Sequence, residues 1–156
     1  KAIDKLKQKY PDIIYLIIGK GKEKKNLEEL VNKLNLQNMV KFIGEISHYE
    51  VMAYMASCDI FSLPSWNEAF GVVYIEAMAQ GKPVIGCQGE GIEDFVENGK
   101  TGMLVKPKDV DSIVGALDFL LSRPSEAQDI GKRARDLVLK NYTWEKNAEK
   151  TIEIYN

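Results

Sequence analysis

The chain has 156 residues, 45% apolar and 28% charged, enough for one domain with its own core. Its formal net charge of −2 gives no global reason to expect nucleic-acid or membrane binding, and no apolar run approaches the roughly 18 residues of a membrane helix. Two cysteines, Cys58 and Cys87, stand at a spacing unlike any metal motif, and a single histidine, His48, disfavours both zinc and a Ser-His-Asp triad. Buried, reduced thiols in a cytoplasmic protein, with no signal peptide, are the expectation.

Taken in chain order, residues 1–9 read as the end of a helix. Ile13-Ile14-Tyr15-Leu16-Ile17-Ile18 is a continuous apolar run, the pattern of a strand buried on both faces of a parallel sheet. Gly19-Lys20-Gly21 turns the chain into a charged helix over 23–35. Residues 1–33 carry nine Lys against five Asp or Glu, which reads as a solvated basic helix face. Residues 39–43 form the next strand, closed by Gly44. Ser47-His48-Tyr49-Glu50 has the capping-box pattern and opens a helix to about Ser57, with His48 exposed in its first turn.

Residues 59–63 form a third strand, 72–79 a helix running to Gly81-Lys82-Pro83, and 83–86 a fourth strand. Residues 97–102 are a turn, and 103–105 a short fifth strand. Helices follow near 109–122, near 125–140 with Ser125 as N-cap, and near 143–155 with Thr143 as N-cap. Alternation of strand and helix at this spacing predicts an α/β fold, a Rossmann-like doubly wound parallel sheet with helices on both faces. Ligands of such sheets lie beyond the carboxyl ends of the strands, here the loops 19–21, 44–47, 64–71 and 87–94.

One of those loops carries the most informative segment, Glu68-Ala69-Phe70-Gly71-Val72-Val73-Tyr74-Ile75-Glu76. A loop presents one carboxylate, a helix begins, and its second turn presents another, eight positions on. Free N–H groups at the helix start form an anion site between the two acids. This layout suits a sugar nucleotide: one acid for sugar hydroxyls, the helix start for the diphosphate, the other acid for the ribose diol. Eight residues of helix span about 12 Å. Glycosidase carboxylates stand about 5–5.5 Å apart in retaining enzymes and about 6.5–9.5 Å in inverting ones. The layout therefore fits gripping a long ligand better than attacking a single bond.

Other motifs are weaker. Gly19-x-Gly21 follows a strand, but Lys24 stands where a dinucleotide fingerprint needs its third glycine, so a tight turn is the reading. Gly89-Glu90-Gly91-Ile92-Glu93-Asp94 is a second glycine-acid loop, whose glycines permit positive φ or close ligand approach. Trp66 either lines a pocket or packs in its loop, and Trp144 reads as a packing anchor at the start of the last helix.

As a set, these residues resemble the C-terminal, donor-binding domain of the group 1 (family 4) retaining glycosyltransferases of GT-B fold. The resemblance runs through Leu16-Ile17-Ile18-Gly19-Lys20-Gly21, Val40-Lys41-Phe42-Ile43-Gly44, Asp59–Ser65, Glu68-Ala69-Phe70-Gly71, and Glu76-Ala77-Met78-Ala79-Gln80-Gly81-Lys82-Pro83-Val84-Ile85, and closes at 99–105. It implies that Glu68 is the catalytic-site acid on the transferred sugar. It puts the N–H groups of Phe70, Gly71 and Val72 on the diphosphate and Glu76 on the ribose hydroxyls. The loop around Ile46 would hold the base. The turn Gly19–Gly21 and the loop with Glu90 and Gly91 would approach the donor, although Glu90 and Glu93 replace a glycine and a proline common there.

The resemblance also implies transfer with retention, no bound metal and no cofactor beyond the nucleotide-diphosphate sugar. The acceptor, a glycan or lipid-linked glycan of cell-surface polysaccharide or glycolipid synthesis, would bind through an N-terminal domain outside this chain. That absent half would also supply any peripheral contact with the inner face of a membrane. A first strand bearing a basic Arg and Lys pair, central in the family's strand order, is missing from the sequence. The sheet is therefore expected to be rearranged or completed by another segment, and the fragment to be inactive alone. A sugar-nucleotide epimerase of GT-B fold, and a non-catalytic sugar-nucleotide or protein-binding module, are the alternatives.

Overall fold

The computed structural model describes residues 1–66 and 71–155, with the side chains of 147, 150, 154 and 155 outside that description. The chain forms two compact units, Lys1–Ala53 and Tyr54–Asn156.

In the first unit, α1 (Ala2–Leu6) precedes β1 (Tyr15–Ile18), α2 (Lys24–Lys33) and β2 (Val40–Gly44). β1 and β2 pair in parallel from Tyr15 opposite Val40 to Ile18 opposite Gly44, with a register shift at Ile17/Ile18. Leu6, Leu36 and Val40 are buried here. α2 stops at Asn35, whose φ of 54° places it in the left-handed region. Leu36 N–H donates to Val31 O and Asn35 N–H to Asn32 O, the paired bonds of a Schellman turn. α1 is shorter than the sequence implies, because the chain leaves the helix in turns closed by Lys9 and Tyr10 N–H on Leu6 O.

The apolar run at 13–18 is not buried on both faces. Ile14 is 54% exposed and Tyr15 38%. Among the described residues β1 has one strand neighbour, β2, so its other edge gains no cover from a ladder. An all-apolar strand reports the burial its sequence suits, and a neighbouring strand must still supply it.

α3 (His48–Ser57) ends in the second unit, which continues with β3 (Phe61–Ser62), α4 (Val72–Ala79), β4 (Val84–Cys87) and a 3-10 turn (Gly91–Asp94). β5 (Met103–Val105), α5 (Val110–Ser122), α6 (Pro124–Asn141) and α7 (Trp144–Tyr155) complete it. β3, β4 and β5 pair in parallel in that order. All four residues of the central β4 are buried. Around them Tyr74, Met78, Ile92, Val105, Leu120 and Ile130 are the large, fully enclosed side chains. α6 turns Ala127, Ile130, Gly131, Ala134 and Val138 inward, the i, i+3, i+4 rhythm of one buried helix face.

The fold is α/β with every strand pair parallel. The described residues form two separate ladders, β1-β2 and β3-β4-β5, rather than one six-stranded sheet. Three local expectations are corrected. The third strand is two residues long rather than 59–63. Ser125 is not the cap of α6: the helix starts at Pro124, whose fixed φ suits the first helical position and whose missing N–H costs nothing there. Trp144 is 86% exposed and anchors nothing among the described residues.

Candidate donor site

At the carboxyl ends of the second unit's strands, the connection from β3 to α4 is fixed at both stems. Leu63 N–H donates to Ile85 O at 3.1 Å, continuing the ladder by one bond. Leu63 O then accepts two donors, Ser65 N–H at 2.7 Å and the Tyr74 hydroxyl. Tyr74 is fully buried in α4 and meets the Phe61 ring edge-on at 5.9 Å. The loop thus leaves β3 and returns to α4 around one shared carbonyl. A buried Tyr needs a partner for its O–H, and this one finds it at the strand end.

Gly71 caps α4 with φ 73° and ψ 54°, and its side-chain position carries no oxygen that could bond to the helix N–H groups. Tyr74 N–H returns to Gly71 O at 2.9 Å. Gly71 is buried and Val72 is 58% exposed. Val72 is thus exposed in the first turn, where the positive end of the helix dipole lies. Glu76, half-buried, stands in the second turn of the same helix. Glu68 and Phe70 lie outside the described residues.

The loop after β4 contributes Glu90 and Gly91. Glu90 is extended and half-buried, and Gly91 opens the 3-10 turn. Gly89 is the glycine that uses positive φ, at 76°. Its N–H donates to the Glu93 carboxylate at 2.7 Å, so Glu93 is turned back onto its own loop.

In the first unit, Gly19 has φ 119° and donates its N–H to Gly44 O at 2.7 Å, which ties the loops after β1 and β2 together. Lys20 and Glu45 bridge the same loops at 2.6 Å in full view of solvent, a pair worth little on its own. A Cβ at Gly21 would meet nothing within 4 Å, and Ile46 is half-buried just beyond Glu45. The structure thus groups Gly71, Val72, Glu76, Glu90 and Gly91 in one unit and Gly19, Gly21 and Ile46 in the other. The capping box at Ser47 is formed: Ser47 N–H and Oγ–H donate to the Glu50 carboxylate at 2.9 and 2.6 Å, and Glu50 N–H returns to Ser47 Oγ at 3.3 Å. His48 is exposed in that first turn.

Cys87 is buried and Cys58 partly so, and burial pushes both thiols above their ordinary range. No cluster of His, Cys, Asp and Glu that could hold a metal occurs among the described residues. No helix among them is long and apolar enough to cross a membrane. Two contributors escaped the sequence reading. Tyr74 looked like one more apolar helix residue. Lys108 has φ 59° and sets its ammonium 5.4 Å from the centre of the Trp66 ring; the one signal for it is Pro107 followed by the turn into α5.

Residues 1–137 match the family of glycosyl transferases group 1, and the chain belongs to that family. It is 30% identical over 154 residues to the glycogen synthase of Mycobacterium tuberculosis, covering 99% of this chain and 37% of that protein. The C-terminal domain of a group 1 family glycosyl transferase from Francisella tularensis superposes with a TM-score of 0.85 at 30% identity, over 92% of this chain and 76% of that one. The Anabaena protein HepE in complex with UDP superposes with a TM-score of 0.89 at 26% identity, over 99% of this chain and 43% of that one. The chain thus spans well under half the length of the glycogen synthase and of HepE. Its fold is that of a C-terminal GT-B half.

Proposed function

We propose that this chain is the donor-binding domain of a retaining glycosyltransferase and binds a nucleotide-diphosphate sugar without a metal. The observation that carries the reading is the start of α4: a buried, left-handed glycine with no capping side chain, the exposed Val72 after it, and an acid in the following turn. Main-chain N–H groups at Gly71 and Val72 would take the diphosphate, and fixed dipoles there stabilise charge as it develops on the leaving group. Glu76 lies five residues beyond Gly71, about 7.5 Å along the helix axis. A nucleoside diphosphate bridges that span, with its ribose diol on the carboxylate. Glu68 would hold the transferred sugar. Glu90 and Gly91, in the same unit, would border the donor. HepE, a neighbour at 26% identity, was crystallised with UDP, which supports a nucleoside diphosphate as ligand.

The acceptor, in this reading a glycan or lipid-linked glycan of surface polysaccharide or glycolipid synthesis, would be held outside these residues. Transfer would take place in the cytoplasm or at the inner face of a membrane.

Titration with UDP, GDP and ADP, followed by calorimetry, tests the proposal. One nucleotide is expected to bind saturably and to bind more weakly after Glu76→Ala. Binding of all three that is indifferent to Glu76→Ala would remove the assigned role of that acid.

A further inference from the structure

Asn98-Gly99 is the one Asn-Gly pair of the chain. Asparagine is a thermolabile residue, and a following glycine makes it more so, because no Cβ hinders approach of the glycine nitrogen. The Gly99 nitrogen can attack the side-chain amide carbon of Asn98. The new N–Cγ bond closes a cyclic imide, the Cγ–Nδ2 bond breaks, and the amide nitrogen leaves as ammonia with the proton given up by Gly99. Water then opens the ring at one of its two carbonyls. The product is aspartate or isoaspartate at 98, with one new negative charge in either case.

The pair lies in the turn 97–102 that leads into β5, a place that suits Asn-Gly. Asn98 and Gly99 are both exposed, so water reaches them. Both reacting groups are nevertheless engaged. Gly99 N–H donates to Gly102 O at 2.8 Å, and Asn98 Oδ1 accepts from Leu104 N–H at 2.9 Å. The ring can close only when the Gly99 nitrogen gives up its proton and the amide carbon turns onto it, away from Leu104. The rest of the turn opposes that movement. Asn98 and Gly102 pair as a β-bridge. Lys100 N–H and Thr101 N–H both donate to Glu97 O at 3.0 Å, and Glu97 N–H donates to Thr101 Oγ1 at 2.9 Å. From α6, Arg133 Nε donates to Lys100 O at 2.7 Å.

We propose that Asn98 is a deamidation site that the fold keeps shut. It reacts when the turn 97–102 opens, so modified chain accumulates as a record of that opening. The two products differ in what they leave behind. Aspartate keeps an oxygen for Leu104 N–H and can re-form the turn. Isoaspartate routes the main chain through Cβ and Cγ, and the added carbon falls inside the rings closed by the Lys100 and Thr101 N–H bonds to Glu97 O.

The test is peptide mapping by mass spectrometry after incubation in mildly alkaline buffer, with and without denaturing urea. Deamidation at 98 is expected to be about ten-fold slower or more in the native chain, because the reactive arrangement needs a local opening. Thr101→Ala removes the hydroxyl that accepts from Glu97 N–H. It should speed the native reaction several-fold and leave the rate in urea unchanged, with circular dichroism on the same samples showing the variant folded. A native rate equal to the urea rate overturns the proposal, as does the absence of reaction in urea. A folded Thr101→Ala chain that reacts no faster than the parent overturns it too. If Thr101→Ala does not fold, the native-to-urea ratio of the parent decides.

Discussion

Gly131 lies in the buried face of α6, and replacing it with alanine should separate two effects that usually travel together. A Cβ built at Gly131 would stand 2.0 Å from Gly81 O, 2.9 Å from Gly81 C and 3.3 Å from Pro83 Cδ. Gly81 is the left-handed residue that ends α4 in a Schellman turn, with Lys82 N–H on Ala77 O and Gly81 N–H on Met78 O. The obstructing atom is therefore backbone in a doubly bonded turn, with no rotamer to yield. Ordinary contact begins at 3.4 Å, so α6 and the turn must part by about 1.4 Å. Overpacking of a core costs about 1–3 kcal/mol, and a rigid obstacle belongs at or above the top of that range. Alanine returns about 1 kcal/mol of helix propensity. The net expectation for Gly131→Ala is a loss of about 2 kcal/mol or more, several degrees in thermal midpoint. Gly115, exposed in α5, is the internal control: its Cβ would meet nothing within 4 Å. Gly115→Ala gains the propensity alone and should stabilise by about 0.5–1 kcal/mol. Urea denaturation of the two variants beside the parent measures both. A Gly131→Ala chain as stable as the Gly115→Ala chain would refute the close approach of α6 to Gly81.

Tyr74→Phe removes the hydroxyl that ties α4 to Leu63 O while Ser65 N–H still occupies that carbonyl, so a loss of about 1 kcal/mol is expected in the same denaturation assay; an unchanged midpoint would show that the bond contributes nothing. Glu50 is held below the usual carboxylate range by the Ser47 hydroxyl first and the Ser47 N–H second. A lowered folded value means its contribution is complete above the unfolded value near 4.5 and fades as pH falls through the folded one. The stability difference between parent and Glu50→Gln should accordingly be flat at neutral pH and shrink only in acid, and a difference that grows in acid would reverse the assignment.

Patterns carried by neighbouring residues were the legible ones. The capping box at Ser47–Glu50 and the ends of α5 follow from short-range hydrogen bonding, and the structure forms both, with Asp109 accepting from Asp111 N–H and Ser112 N–H. Strand and helix alternation gave the parallel α/β class because apolar runs and glycine turns punctuate it regularly. Three features were not local. Whether Ile14 and Tyr15 are covered depends on a neighbouring strand, which periodicity within the run cannot report. Whether Trp144 anchors depends on what faces it. Lys108 takes a glycine's conformation while its letter argues for a solvated helix or loop. The start of α4 was legible as a helix beginning just after Gly71. The hydroxyl that braces that start was not, since Tyr74 reads as an apolar helix residue until Leu63 is seen beneath it.

The same tyrosine explains how two acid-bearing elements keep their register. Gly86 sits in the middle of β4, and a Cβ there would collide with Ile92 Cδ1 at 2.4 Å and press Tyr74 Cε1 at 3.3 Å. The missing side chain lets Ile92 and Tyr74 converge over a single backbone position, each fully buried. Ile92 belongs to the 3-10 turn that follows Glu90, and Tyr74 lies two residues before Glu76 in α4. The loop with Glu90 and the helix with Glu76 are thus packed onto the same strand residue, through side chains next to their acids. Buried cores at this density transmit displacement rather than absorb it. A shift of either element is felt at the other through Gly86, which places the rigid reference for the candidate site in β4 and leaves its exposed edge to Trp66, Val72 and Lys108.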